Sequence, residues 1–70
     1  MSNYKQRGRT ELALLYNPGL DSRTAWRRLS AWIDQCEPLK NELEHMGYNG
    51  HQRTFTPKQV NRIIHYLGEP

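Results

Sequence analysis

The stretch "RTFTPKQVNRIIHYLG", residues 53–68, carries the clearest structural signal in the chain. Thr56-Pro57-Lys58-Gln59 has the form of a capping box. In that motif the first side chain accepts from the backbone N–H three residues on, and the last reaches back to the N–H of the first. Pro57 falls at the first helical position, where a missing N–H is no loss. Phe55 before the cap and Val60 inside the helix are spaced to form a hydrophobic staple. Val60, Ile63, Ile64 and Leu67 then recur at helical spacing, and Gly68 ends the run.

Working outward, "GYNGHQRTF" (47–55) holds Asn49-Gly50, the favoured centre of a type I′ turn because both residues tolerate positive φ. A short hairpin containing Tyr48 and Phe55 is therefore expected before the last helix. Pro38 opens an earlier helix in which Leu39, Leu43 and Met46 repeat at i, i+4 and i+7, and Gly47 stops it. The segment "DSRTAWRRLSAWID" (21–34) is strongly amphipathic. Asp21 caps it; Ala25, Leu29, Trp32, Ile33 and Cys36 gather on one side, with Trp26 at the edge. Arg23, Arg27, Ser30 and Asp34 fall opposite, and Thr24 and Arg28 lie on a flank. Thr10 reads as the cap of a short first helix, "ELALLY", with Leu12, Leu15 and Tyr16 sharing a face and Leu14 pointing elsewhere. Asn17-Pro18-Gly19 ends that helix.

These elements define a mainly α chain: a small four-helix helix-turn-helix domain with a short β-hairpin wing before the last helix. Residues 1–9 are expected to form a basic flexible arm, and residues 10–70 the helix-turn-helix-like domain. Seventy residues make one domain, and a chain of this size buries only about 60% of its unfolded surface, so its core is small. A single cysteine, Cys36, rules out an intramolecular disulfide and fits a reducing cytoplasm. The polar, basic start "MSNYKQRGRT" lacks the apolar region of a signal peptide. No apolar run approaches the roughly 20 residues that cross a bilayer. A cytoplasmic location without membrane association is expected.

Net charge is +3, and it is segregated. Lys5, Arg7 and Arg9 precede any acid; Arg23, Arg27 and Arg28 face only Asp21; and Arg53, Lys58 and Arg62 close the chain ahead of Glu69. The acids collect in 34–44, as Asp34, Glu37, Glu42 and Glu44 against Lys40. Such asymmetry suits a polyanionic partner on one side of the molecule. The alternative is an ordinary solvated helix face.

The pattern Leu20-x-Ser22-x-Thr24-Ala25-x-Arg27-x-Leu29 resembles the recognition half of a helix-turn-helix, whose second helix enters the major groove. The side chains left outward are Ser22, Arg23, Thr24, Arg27 and Arg28. Arginine can grip guanine bidentately, and serine or threonine can bind phosphate. The connection "NPGLDS" departs from the tight motif by about two extra residues. "HQRTFTPKQVNRII" in turn resembles the wing and following helix of MerR and excisionase-like winged-helix DNA-binding domains, with Arg53, Phe55, Thr56 and Val60 in the matching places. That resemblance implies that His51, Gln52 and Arg53 lie near the phosphate backbone or minor groove. Over residues 10–70 the chain also resembles a family of short bacterial proteins from gut anaerobes, known as a domain of unknown function. The residues that carry this likeness are "ELALLYNPG", "AWRRLSAWI" and "RTFTPKQVNRIIHYLGEP". It implies a natural folding unit and no particular activity.

An enzyme is not expected. Cys36 with His45, His51 or His65 could be drawn as a dyad, but Cys36 lies on an apolar face, where a packing thiol is the simpler reading. Cys36-x₈-His45-x₅-His51 is not a familiar zinc spacing, and no glycine-rich phosphate loop occurs. His45 and His65 fall near helix C-termini, where their partial charge suits the dipole. The expectation is a small DNA-binding protein, a transcriptional regulator or a mobile-element accessory factor, with no cofactor and no small-molecule substrate. Ser22, Arg23, Thr24, Arg27 and Arg28 would meet the major groove, Gln52 and Arg53 the backbone, and Lys5, Arg7 and Arg9 would add sequence-independent attraction. A homodimer or a protein partner would supply further affinity. The alternative function is a protein-interaction module that binds an acidic protein partner and no nucleic acid.

Overall fold

The computed structural model describes residues 6–70. Within them, β1 (Arg7–Gly8) leads into α1 (Arg9–Tyr16), α2 (Ser22–Gln35), α3 (Glu37–His45), β2 (Thr54–Phe55) and α4 (Pro57–Leu67). The chain is thus a mainly α four-helix domain with a small two-stranded antiparallel sheet before the last helix. Tyr4 and Lys5, assigned to the basic arm, lie outside the described residues.

The core is one cluster fed by every helix: Leu12 and Ala13 from α1, Ala25, Leu29 and Ile33 from α2, Leu39 and Leu43 from α3, and Val60 and Ile63 from α4. Phe55 and Tyr48 complete it. Helix α1 packs chiefly on α2. It begins at Arg9, one residue before the expected Thr10 cap, because Glu11 Oε1 reaches back to accept the Gly8 N–H at 3.4 Å. Its buried side is Leu12 and Ala13; Leu15, expected on the same face as Leu12, is 42% exposed. Tyr16 sits edge-on against Trp32, 6.1 Å between ring centroids, and its hydroxyl donates to the Gly68 carbonyl.

Each helix stops for a local reason. Asn17 caps α1 through its own side-chain amide, which donates to the Ala13 carbonyl at 3.2 Å. Asn17-Pro18-Gly19-Leu20 then closes as a type II turn, with Gly19 at φ 92° and the Leu20 N–H on the Asn17 carbonyl at 3.4 Å. Asp21 Oδ2 accepts the Thr24 N–H at 3.2 Å and starts α2. Helix α3 ends in a Schellman motif. The Tyr48 N–H reaches the Leu43 carbonyl at 2.9 Å and the Gly47 N–H reaches Glu44 at 3.1 Å, with Gly47 at φ 92°. That motif turns Tyr48 back into the core, stacked on Phe55 at 5.8 Å and 19°.

The sheet is assembled differently from the expected wing. Arg7 pairs with Phe55 and Gly8 with Thr54, so β2 is met by the N-terminal segment and not by residues across the Asn49-Gly50 turn. The reason is local. Gly50 takes φ 82°, but Asn49 keeps a negative φ, so the two positive-φ residues of a type I′ turn are not present. Asn49 instead spends its side chain, Oδ1 accepting the His51 N–H at 2.8 Å and the Gln52 N–H at 3.1 Å. The same pairing takes Arg7, Gly8 and Arg9 out of the expected arm. The Arg9 N–H donates to the Arg53 carbonyl at 2.8 Å and extends the contact into α1.

The capping box of α4 is formed and enlarged. Thr56 Oγ1 accepts the Gln59 N–H at 3.2 Å, and Gln59 Oε1 accepts the Thr56 N–H at 3.0 Å. Gln59 is only 1% exposed, and its amide does more than cap. Its Oε1 also accepts from Gln52 Nε2 at 2.8 Å, and its Nε2 donates to the Met46 carbonyl at 3.2 Å, at the end of α3. Gln59→Leu is expected to strand Thr56 N–H, Gln52 Nε2 and Met46 C=O together. Each group left unpaired costs about 1–3 kcal/mol, so chemical denaturation should show a loss at least as large as the roughly 2–5 kcal/mol of the core truncation Leu29→Ala. Thr56→Ala, which removes only one arm of the box, should cost about 1 kcal/mol.

Candidate nucleic-acid interface

Helix α2 presents the arginines. With Ala25, Leu29 and Ile33 fully buried, Trp26 and Trp32 fall half-buried on its two edges. Ser22, Arg23, Arg27 and Arg28 are exposed and Thr24 is half-buried. Residues four apart on a helix stack in rows. Arg23 and Arg27 form one row beside the Trp26 edge, and Thr24 and Arg28 form another leading to Trp32. Ala31, also exposed, lies between the rows. Among the described residues no ion pair engages Arg23, Arg27, Arg28, Arg53 or Lys58.

The Trp26 edge is where the other basic segments arrive. The Arg9 guanidinium sits over the Trp26 ring, 5.1 Å from its centroid, a cation–π contact. Trp26 leans on Phe55 at 6.0 Å, and Phe55 stacks on Tyr48. Because the Arg9 N–H is bound to the Arg53 carbonyl, the exposed Arg53 lies beside Arg9. The ladder thus brings Arg9 to the Trp26 edge of α2, next to the row of Arg23 and Arg27, and holds the Arg53 carbonyl on the Arg9 N–H. It does not recruit everything expected there. Arg7 pairs with Glu11 at 2.8 Å. Gln52 is a structural residue, because both hydrogens of its Nε2 are committed, to Thr54 O at 2.7 Å and Gln59 Oε1 at 2.8 Å. Arg28 lies about 100° round the helix from Arg27, toward Trp32. Lys5 is outside the described residues.

Of the acids, Asp34 shares the exposed side of α2 with Arg23 and Arg27, about two turns beyond Arg27. Asp34 meets Lys40 at 3.7 Å. Glu42 on α3 receives the Tyr66 hydroxyl and pairs with Arg62 Nε at 2.8 Å, and the Arg62 guanidinium lies 5.5 Å from the Tyr66 ring centre. This Glu42–Tyr66–Arg62 group joins α3 to α4 and was absent from the sequence expectations. Arg62 and Tyr66 are four apart on one helix, which is a readable signal, but their partner lies across a helix–helix contact and left none. The Tyr66 hydrogen bond, aided by Arg62, holds the Glu42 carboxyl below its ordinary value. The same bond pushes the Tyr66 hydroxyl up. The hydrogen bonds from Thr24 hold the Asp21 carboxyl down, and burial pushes the Tyr48 hydroxyl up.

Among the described residues no three His, Cys, Asp or Glu side chains converge to hold a metal ion. Cys36 packs against the core at the α2–α3 junction, and His45 Nδ1 donates to the Asn41 carbonyl at 2.7 Å. Among the described residues no helix is long and apolar enough to cross a membrane.

Fold and surface define a class: a small four-helix domain, pinned by a ladder between its first described residues and the approach to its last helix, with a free arginine face on its second helix. Its family follows. The chain belongs to DUF4248, a domain of unknown function, which it matches over residues 3–70. No curated protein and no solved structure matches it.

The Glu42 group makes stability depend on pH with a definite sign. A lowered carboxyl contributes stability that is present above its unfolded value and lost as pH falls through the folded one. Melting temperature should therefore drop on acidification below the ordinary glutamate range. Glu42→Gln should flatten that acid limb, and Tyr66→Phe should shift it toward neutrality.

Proposed function

We propose that this protein binds DNA through the exposed face of α2, as a transcriptional regulator or a mobile-element accessory factor. The observation that carries the reading is the set of exposed arginines on α2 with no ion pair among the described residues, with the Arg9 guanidinium at the Trp26 edge beside Arg23 and Arg27. Arg23, Arg27 and Arg28 have no acid three or four positions away on α2, where a helical ion pair would form. Arg23 and Arg27 on one side, Thr24 and Arg28 on the other, and the small Ala31 between them suit a helix lying in a major groove. Arginine there reads guanine edges or grips phosphates. The packing of α1 on α2 across a short turn supports the likeness to a helix-turn-helix.

In this reading the beta ladder plays the part that a wing would play, carrying Arg9 to a flank of α2 with Arg53 bound to it through the backbone. Lys58, exposed in the first turn of α4, and Arg53 would add backbone contacts. A single module of this size covers roughly 600–1,000 Å² on DNA, so useful affinity requires a second copy or a partner.

Binding to duplex DNA, followed by fluorescence anisotropy across a salt series, tests the proposal. Affinity should fall steeply with salt, with a log–log slope of about −0.9 per phosphate contact. Arg23→Ala and Arg27→Ala should each weaken binding while changing stability by no more than about 0.5 kcal/mol, as surface substitutions do. Absence of binding at low salt overturns the reading. Tight binding to an acidic polypeptide in its place would favour the protein-interaction alternative.

A further inference from the structure

The loop between α3 and β2 holds the chain's single Asn-Gly pair, and the fold holds its asparagine in an Asx turn. Asn49 is exposed, and its side-chain carbonyl oxygen takes two backbone donors, the His51 N–H at 2.8 Å and the Gln52 N–H at 3.1 Å. Two N–H groups aimed at one carbonyl oxygen polarise its carbon and stabilise negative charge that develops on that oxygen, as an oxyanion hole does. Next in the chain, the Gly50 N–H has no hydrogen-bond acceptor among the described residues. Gly50 carries no side chain to shield it. A polarised amide carbon and a backbone N–H without an acceptor thus belong to adjacent residues, and these are the two groups that close a five-membered succinimide.

We infer that Asn49 is a self-modification site, deamidating in the folded protein through attack of the Gly50 nitrogen. In the step, the Gly50 nitrogen bonds to Asn49 Cγ as its proton passes to water. Nδ2 takes a proton from water as the Cγ–Nδ2 bond breaks, and ammonia leaves. Water then opens the ring at either carbonyl and yields aspartate or isoaspartate. The balance is amide plus water to carboxylate plus ammonium, with no change of oxidation state. The chain's other asparagines are placed otherwise. Asn17 is buried and followed by Pro18, which has no N–H. Asn41 and Asn61 lie inside α3 and α4, where the following amides belong to the helix ladder. Asn3 is outside the described residues.

The product places a negative charge two residues from His51 and four from Arg53, and takes one unit from a net charge of +3. The isoaspartate form also lengthens the backbone at position 49, three residues before Gln52, whose side chain holds the loop to α4. If the basic flank touches DNA, which rests on the function proposed above, modification weakens that contact. The chemistry itself does not depend on DNA.

Incubation of the intact protein at mildly alkaline pH, followed by peptide mapping and isoaspartate detection, tests the inference. The mass gain of amide-to-acid conversion should be confined to the peptide containing Asn49. It should proceed in the folded protein at least as fast as in a synthetic peptide spanning residues 46–53, which lacks the two fixed donors. Asn49→Gln should abolish conversion at that position. An Asn49 that stays intact in the folded protein while the free peptide converts overturns the inference, as does conversion spread evenly over the other asparagines. Asn49→Asp, measured in the anisotropy assay, separates the two ideas. A loss of DNA affinity supports the link to binding, whereas a wild-type protein that binds no DNA but still converts leaves the modification standing alone.

Discussion

A single buried amide joins the parts of this small domain that the helices alone would leave loose. Gln59 is sealed from water, yet its hydrogen bonds run to the start of its own helix, to the end of α3 and to the loop between them. In a low-dielectric interior a satisfied polar network stiffens what it connects, and a broken one is costly. The loop after α3 is held from both sides, by the Schellman turn that buries Tyr48 and by Gln52 on Gln59. With that loop placed, β2 has a fixed position, and Phe55 can serve as the meeting point for Tyr48 and Trp26. Arg9 then finds Trp26 because the ladder has already delivered it there. The arginine face of α2 inherits its basic neighbours from this sequence of constraints.

Much of this was legible in the chain because the relevant signals are local. Asp21, Thr56, Pro57, Gln59, Gly47 and Pro18-Gly19 announce helix ends through chemistry that acts within four or five residues, and the helices begin and end close to where those residues imply. The apolar side of α2 was equally readable, since Ala25, Leu29 and Ile33 follow one helical row. What escaped was non-local. Arg7-Gly8 has no alternation of apolar and polar residues, and its pairing rests on backbone hydrogen bonds that any sequence can make. Asn49-Gly50 carried a turn signal that was honoured differently, with the asparagine side chain in place of a second left-handed residue. Leu15 faces water because Tyr16, at the last turn of α1, is drawn toward Trp32 and Gly68.

The candidate site divides in the same way. Ser22, Arg23, Thr24, Arg27 and Arg28 sit where periodicity put them. Gln52 and Arg7 are engaged within the fold, by Thr54 and Gln59 and by Glu11, and sequence alone does not show which partner of a glutamine amide or an arginine is closer. The nearness of Arg9 to Arg53 is a tertiary fact with no local trace. Equally hidden was Glu42 with Tyr66 and Arg62, which draws one of the α3 acids into a bond with α4.

The ladder has a consequence for how the chain is made. Its two strands stand more than forty positions apart, so the earlier one has to wait for the later one to be made. During translation α1 and α2 can meet early, but Arg9 cannot be fastened to Arg53, nor Tyr16 to Gly68, until those later residues have left the ribosome. The ladder and the bond to Gly68 are therefore closing contacts, added to a helix pair that can assemble without them.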